Sequence, residues 1–410
     1  MNFYKVLKFI IPAFVILSTI IMLKDQIKGL VAHYLPFKLK SSIKVLINDK
    51  SFALGLYNDY NQKFLPETQF NSLKFDTKKL NFLTDGDAGY FQKVVKKSNQ
   101  GFKSFYLEKF NNNIFITNVS GETFVIDDNL DIDNFKKFKN VNLKNVKKVL
   151  DTLVYNNDLY ISYIEKNNDC NIFKISRSKI SNNELTFSDF FKYNECGKWI
   201  QGGRMQPFIL NEKNGLIFSL ADNVADEPNL NPQSNNSLFG KIVFIDFKNK
   251  KEIIFSKGHR NPQGLLSLNG IVLSTEHGPR GGDEINKIEF AGNYGWPISS
   301  YGLKYNGENQ YYQSHANFGF IEPIYSFVPS IGISEIIKLP NKIFDNWNNS
   351  YLISSLYRGS IFRTIFDKDF DKVIYFEEIF IGQRIRDIML FDNKIILALE
   401  SKGEIGILYE

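Results

Sequence analysis

Histidine is scarce in this chain: 4 among 410 residues, with none between His33 and His259. That long interval therefore offers no imidazole as a base. Cysteine is down to Cys170 and Cys196. Such a pair either forms a single bridge in an oxidising compartment or stays as two buried thiols. Lysine and arginine, 50 against 44 acidic residues, are spread evenly without a basic block. This excludes a phosphate-gripping surface, and with it nucleic acid as a partner. Helical periodicity is nearly absent as well.

What the chain does have is apolar and aromatic bulk, 43% and 15%, with 38 Phe, enough for an extensive core. Phe9 to Leu23, "FIIPAFVILSTIIML", runs for 15 residues without a charge between Lys8 and Lys24. Since roughly 20 apolar residues cross a bilayer, this run fits the h-region of a signal sequence. The following "KDQIKGLVAHYLP" lacks small residues at cleavage spacing. The reading is an uncleaved signal anchor over residues 1–28, a polar stem over 29–70 and an exported body. A removed peptide and a buried core helix are the alternatives. The expected location is periplasmic or extracytoplasmic, with the membrane contacted through the N-terminal segment.

One phrase recurs: Asn, one more residue, then three apolar residues and, after a loop, a second apolar strand. It stands as "NNIFI" at Asn112, "NDLYI" at Asn157, "NGLIF" at Asn214, "NGIVL" at Asn269, "NSYLI" at Asn349 and "NKIIL" at Asn393, at spacings of 45, 57, 55, 80 and 44 residues by subtraction. Asn supplies the positive φ of a tight hairpin turn, and the triplets suit a half-buried strand. Partner strands follow as "GETFVID", "CNIFKIS", "GKIVFID", "DEINKIEF", "GSIFRTIF" and "GEIGILYE". Six such units predict an all-β fold, a six-bladed β-propeller over residues 71–410 preceded by an N-terminal hydrophobic anchor helix. Two β-sandwiches would leave the sixfold similarity unexplained. The first blade is expected to begin near Phe82 and to be completed by the C-terminal strand. The 80-residue gap holds an insertion, residues 293–327, where site-forming loops are expected.

Polar residues concentrate around the fourth hairpin, in "GHRNPQG" (Gly258 to Gly264) and "EHGPRGGDEIN" (Glu276 to Asn286), followed by "NYGWP" at Asn293 and "GQRIRD" at Gly382. Arg260, Arg384 and Arg386 are guanidinium forks suited to carboxylates. Arg384 and Arg386, two apart on a strand, point to one side and repel, so an anion is expected between them. A solvated strand face with Asp387 as partner is the alternative. Asp283 and Glu284 offer hard oxygen atoms, or else cap the turn and pair with Arg280.

These four motifs, in this order, resemble the soluble aldose sugar dehydrogenases of the glucose/sorbosone dehydrogenase family. The likeness is nearly word for word over Gly258 to Pro297, clear from Pro329 to Asp387 and weak before Gly202. It implies a six-bladed propeller that uses pyrroloquinoline quinone (PQQ) and calcium to oxidise an aldose or similar hydroxyl compound to a lactone. Electrons would pass on to an acceptor such as a cytochrome or a quinone. The resemblance places Arg260 and Asn261 against the cofactor and gives the carbonyls of Gly278 and Pro279 to one calcium. Asp283 and Glu284 go to a second, structural calcium. His259 and His277 become loop braces.

The pattern breaks at the base. The family's histidine lies four residues before the arginine of a His-x-x-Gly-Arg motif, and the matching "WIQGGRM" puts Ile200 there, flanked by Trp199 and Gln201. An aliphatic side chain accepts no proton. The quinone-facing lysine is matched by Tyr357, with Arg358 as its stand-in. The early Gly-Leu-Leu-Gly turn with its glutamine has no counterpart. No catalytic base is assigned from sequence, His315 in the insertion being the substitute candidate. Hence the second reading, a degenerate propeller serving as an extracytoplasmic binding or scaffold module.

Overall fold

The computed structural model describes residues 73–83 and 102–410, apart from 168–169, 182–183, 224–228, 305–310 and 313. The expected anchor and stem lie outside the described residues. Six four-stranded antiparallel units follow one another along the chain. The inner strands, in order, are Phe105–Phe110, Val146–Tyr155, Gly202–Leu210, Pro262–Leu268, Ile333–Lys338 and Ile385–Phe391. Each packs against the next, and the last against the first, so the ring is closed around a central channel. We number the blades 1 to 6 by these inner strands.

The recurring phrase forms the second strand of every blade: Asn113–Asn118, Asp158–Asn167, Lys213–Leu220, Ile271–Glu276, Tyr351–Ser355 and Lys394–Leu399. Its partners form the third strands, from Thr123–Ile126 in blade 1 to Glu404–Tyr409 in blade 6. The positive-φ turn residue drifts around the expected Asn. It is Asn157, Asn269 and Asn349 in three blades, but Asn111, Asn211 with Glu212, and Asp392 in the others.

Closure differs from expectation. The ring is sealed by Lys74–Lys79, ahead of Phe82, which pairs antiparallel with the C-terminal strand from Lys74 opposite Tyr409 to Lys79 opposite Glu404. An N-terminal strand thus completes blade 6, and blade 1 is built from residues 105–137 alone. Tyr409 donates a hydrogen bond to Asp76 at 2.7 Å across this seam. Six apolar clusters fill the six blade interfaces, for example Phe105, Leu107 and Ile114 against Met389, Phe391 and Ile396 between blades 1 and 6. Each fully buried Leu, Ile or Phe contributes about 1.5–3 kcal/mol. The ring therefore holds by repetition of many such contacts.

Cys170 and Cys196 form a disulfide joining the third and fourth strands of blade 2. The insertion gives blade 4 its outer strand, Tyr325–Phe327, and lends Gly292–Asn293 as a fifth strand to blade 3. No helix among the described residues is long and apolar enough to cross a membrane.

Candidate functional site

The inner strands of blades 2 to 6 each lose register near their first residues, between Val149 and Asp151, Gly202 and Met205, Pro262 and Gly264, Ile333 and Ile336, and Ile385 and Asp387. A bulge re-aims side chains that strict alternation would send into the blade interface. Here five bulges turn Asp151, Arg204, Gln263, Glu335, Arg386 and Asp387 to the mouth and throat of one channel. Gly203 carries a φ of 87°, and a Cβ there would strike Leu150 and Ser162. The consecutive glycines of "QGGR" are therefore a steric requirement of this turn.

Arg204 crosses the throat. Its Nη1 meets Asp151 at 2.8 Å, Glu335 at 2.7 Å and Asp387 at 3.0 Å. Its Nε donates to the carbonyl of Gln263 at 2.7 Å and its Nη2 to that of Arg386 at 2.8 Å. The guanidinium lies over the Tyr106 ring at 5.2 Å. One side chain thus touches the inner strands of all the other blades. Burial, then the neighbouring carboxylates, push Asp151 up to about 7 and Glu335 to about 8, although Arg204 pulls each down. Three carboxylates facing one guanidinium cannot all be ionised cheaply in a dry site. Beyond Arg204 a cavity of about 230 Å³ continues between the inner strands, lined by Glu108, Thr152, Gln206 and Leu390.

On the mouth side, Arg384 and Arg386 do straddle an anion, and it is the protein's own. Glu400, fully buried, accepts from Arg384 Nε at 2.6 Å, Arg386 Nε at 2.9 Å and Ser104 Oγ at 2.6 Å. Burial alone would raise this carboxyl; Arg386 and Arg384 overcome it and hold it far below the usual range. Asp387, the partner weighed from sequence, faces Arg204 instead. From Arg386 a chain of bonds runs across the mouth: Nη1 to Gln263 Oε1 at 3.0 Å, then Gln263 Nε2 to Asn261 Oδ1 at 2.8 Å. Arg384 stacks on Phe102 at 4.3 Å.

Arg260 closes the mouth from blade 4. Its Nη1 donates to the carbonyls of His277 at 3.1 Å and Gly278 at 2.7 Å, its plane lies 5.4 Å from the Trp296 ring, and its buried Nε has no hydrogen-bond partner. Arg260, Arg386 and Arg384 all act on His277. Burial first, then these arginines, press it down to about 4 against the pull of Asp283. The imidazole is neutral at physiological pH. His259 is a brace as expected, fully buried between Ser256 at 2.8 Å and Glu276 at 3.0 Å and stacked on Tyr294.

The residues expected to hold calcium have other duties. Gly278 O already receives a guanidinium, and a calcium ion would compete with Arg260 for that oxygen. Asp283 accepts from Gly278 N at 3.0 Å, Ser330 Oγ at 2.8 Å and Ile333 N at 2.9 Å, which ties the loop to blade 5. Glu284 accepts from Asn286 at 3.2 Å and lies 3.6 Å from His315 Nε2; burial and nearby carboxylates raise it well above the usual range. No cluster of three or more His, Cys, Asp or Glu able to hold a metal occurs among the described residues. Gly278, Asp283 and Glu284 thus already carry hydrogen bonds within the loop and to its neighbours.

Three further expectations shift. Ile200 is 2% exposed inside the apolar cluster between blades 2 and 3, so it faces the core and not the channel. His315 is buried within the insertion, beside Ser299 at 3.0 Å and the Tyr294 carbonyl at 3.1 Å. Arg358, the lysine's expected stand-in, is held by Glu378 of the outer strand of blade 5 at 2.9 and 3.1 Å. Sequence reading missed Glu400, Gln263 and Lys148. Lys148, at the start of blade 2's inner strand, donates to Gln201 at 2.9 Å. Burial, with Arg386 and Arg384, brings its amine down to about 8 against Glu400.

Fold and site together define an anion-receiving six-bladed propeller. The chain belongs to the glucose/sorbosone dehydrogenase family, whose sequence profile matches residues 106–409. It is 30% identical over 227 residues to the aldose sugar dehydrogenase YliI of Escherichia coli (strain K12), covering 50% of this chain and 58% of that protein. To quinoprotein glucose dehydrogenase B of Acinetobacter calcoaceticus it is 35% identical over 101 residues, 21% of each chain. A protein of Synechocystis without an assigned activity is 26% identical over 257 residues, 57% of this chain and 62% of that one. The chain thus matches less than two thirds of the length of each of these relatives. Among solved structures, the apo-form of the soluble aldose sugar dehydrogenase from Escherichia coli superposes with a TM-score of 0.64 at 22% identity, over 82% of this chain and 99% of that one. The PQQ-bound aldose sugar dehydrogenase from Streptomyces coelicolor gives 0.58 at 16% identity, over 82% and 98%. At these identities the likeness establishes the fold.

Proposed function

We propose that the protein is a quinone-dependent dehydrogenase that oxidises an aldose or similar hydroxyl compound at the channel mouth. Family membership supports the reaction class. The observation that carries the proposal for this chain is the convergence of Arg260, Arg384 and Arg386 at one mouth, where guanidinium groups outnumber the Glu400 carboxylate three to one. PQQ, a tricarboxylate, fits that excess, and the partnerless Nε of buried Arg260 is a donor awaiting an acceptor. Arg260, Arg384 and Arg386 would hold its carboxylates, with Asn261 and Gln263 fixing their orientation. When bound, the quinone supplies a two-electron hydride acceptor. No step is assigned to calcium, since Gly278, Asp283 and Glu284 among its expected ligands are engaged elsewhere.

A disulfide in blade 2 supports an oxidising, extracytoplasmic location, with the N-terminal segment as anchor and a cytochrome or membrane quinone as electron acceptor. Calorimetric titration of the purified protein with PQQ should show saturable, submicromolar binding, and the loaded protein should bleach a redox dye with some member of an aldose panel. Absence of binding would leave the degenerate scaffold as the reading. Binding without turnover on any sugar would limit the claim to the cofactor.

A further inference from the structure

Resting on the dehydrogenase reading, we infer that Lys148 is the proton acceptor of this site, taking the place that Ile200 leaves empty. Ile200 is turned into the apolar core, and its neighbour Gln201 is the residue of that segment whose Oε1 accepts a hydrogen bond from Lys148 Nζ at 2.9 Å. Lys148 is thereby tethered beside the family's base position from a different blade. It begins the inner strand of blade 2 at a bulge between Val146 and Lys148, which aims the side chain at the channel. The charged groups acting on it come from blade 6: Arg386 and Arg384, which disfavour the ammonium form, and Glu400, which favours it. Glu400 is shared between the two arginines, and its pull on the amine does not offset burial and Arg386. Burial adds to the arginines' effect, and an amine titrating near 8 has a usable lone pair at slightly alkaline pH.

The competing groups are less well placed. His259 has both ring nitrogens engaged, and His315 is buried within the insertion with its Nδ1 beside Ser299 and the Tyr294 carbonyl. His277 is near the mouth but, held at about 4, is a weak base. In the step assigned to Lys148, the O–H bond of the sugar's anomeric hydroxyl breaks and its proton bonds to Nζ, giving the ammonium. Bound PQQ would supply the acceptor for the hydride of the adjacent C–H bond, so that the hemiacetal leaves as a lactone.

Two measurements test this. Reductive methylation with ¹³C-formaldehyde should yield one dimethyl-lysine resonance that is absent from Lys148→Arg and titrates near 8, against about 10 for exposed lysines. A Lys148 signal titrating at 10 or above overturns the assignment whether or not the protein turns over sugar. With PQQ loaded, Lys148→Ala should bind the cofactor within threefold of wild type yet lose on the order of 10² to 10⁴ in kcat, and millimolar methylamine should restore part of it. A Lys148→Ala rate within threefold of wild type overturns the role. Failure of wild type to bind PQQ sinks the dehydrogenase reading itself, a result distinct from either.

Discussion

Glu400 lies between two guanidinium groups with none of its side chain exposed, so its charge cannot be removed without leaving both cations uncompensated. Losing one partner of a buried ion pair costs about 3–5 kcal/mol. Glu400→Gln should therefore destabilise the apo-protein by that order in urea unfolding. Bound PQQ, able to supply the missing negative charge, should recover more stability in the variant than it adds to wild type. Equal ligand-induced shifts in melting temperature would mean that the arginines do not face the cofactor. A second expectation concerns the throat. Asp151 and Glu335 titrate near 7 and 8 in the folded protein and near 4 when unfolded. Raised on folding, they hold protons that the unfolded chain has released, so stability falls as pH rises through their folded values. His277, lowered to about 4, acts in the opposite sense only below about 6.5. The melting temperature should accordingly drop between pH 6.5 and 8, and Glu335→Gln should flatten that drop.

At the scale of strands and turns, the disulfide is the plainest local constraint. It closes a loop with a sequence separation of 26 residues within blade 2, a restriction of the unfolded chain worth roughly 3 kcal/mol. Cys170→Ser should lower the urea midpoint accordingly, and dithiothreitol should have the same effect on wild type and none on the variant. The second and third strands of every blade were legible because their alternation and Asn-led turns are local signals. The closing strand was not: "KFDTKK" is mostly exposed, and its pairing is fixed by a partner more than 300 residues away. Inner strands were obscured by their bulges, which break the period-two pattern. The site was legible in part for the same reason. Arg260, Asn261, Arg384 and Arg386 sit in motifs that could be read directly. Glu400, 14 and 16 residues beyond its arginines, and Lys148, two blades away from them, are joined to the site only by closure of the ring. Which way the Ile200 side chain faces depends on the positive φ of Gly202 and Gly203, which its segment alone does not display.

For the whole molecule, the side chain of Arg204 has the widest reach. It fastens the inner strands of six blades at one point and fills the channel there. A passage along the ring axis is thereby crossed by one buried guanidinium, with the mouth on one side and the cavity of about 230 Å³ on the other. A molecule that enters at the arginine mouth therefore meets this crossing side chain before it reaches the cavity beyond.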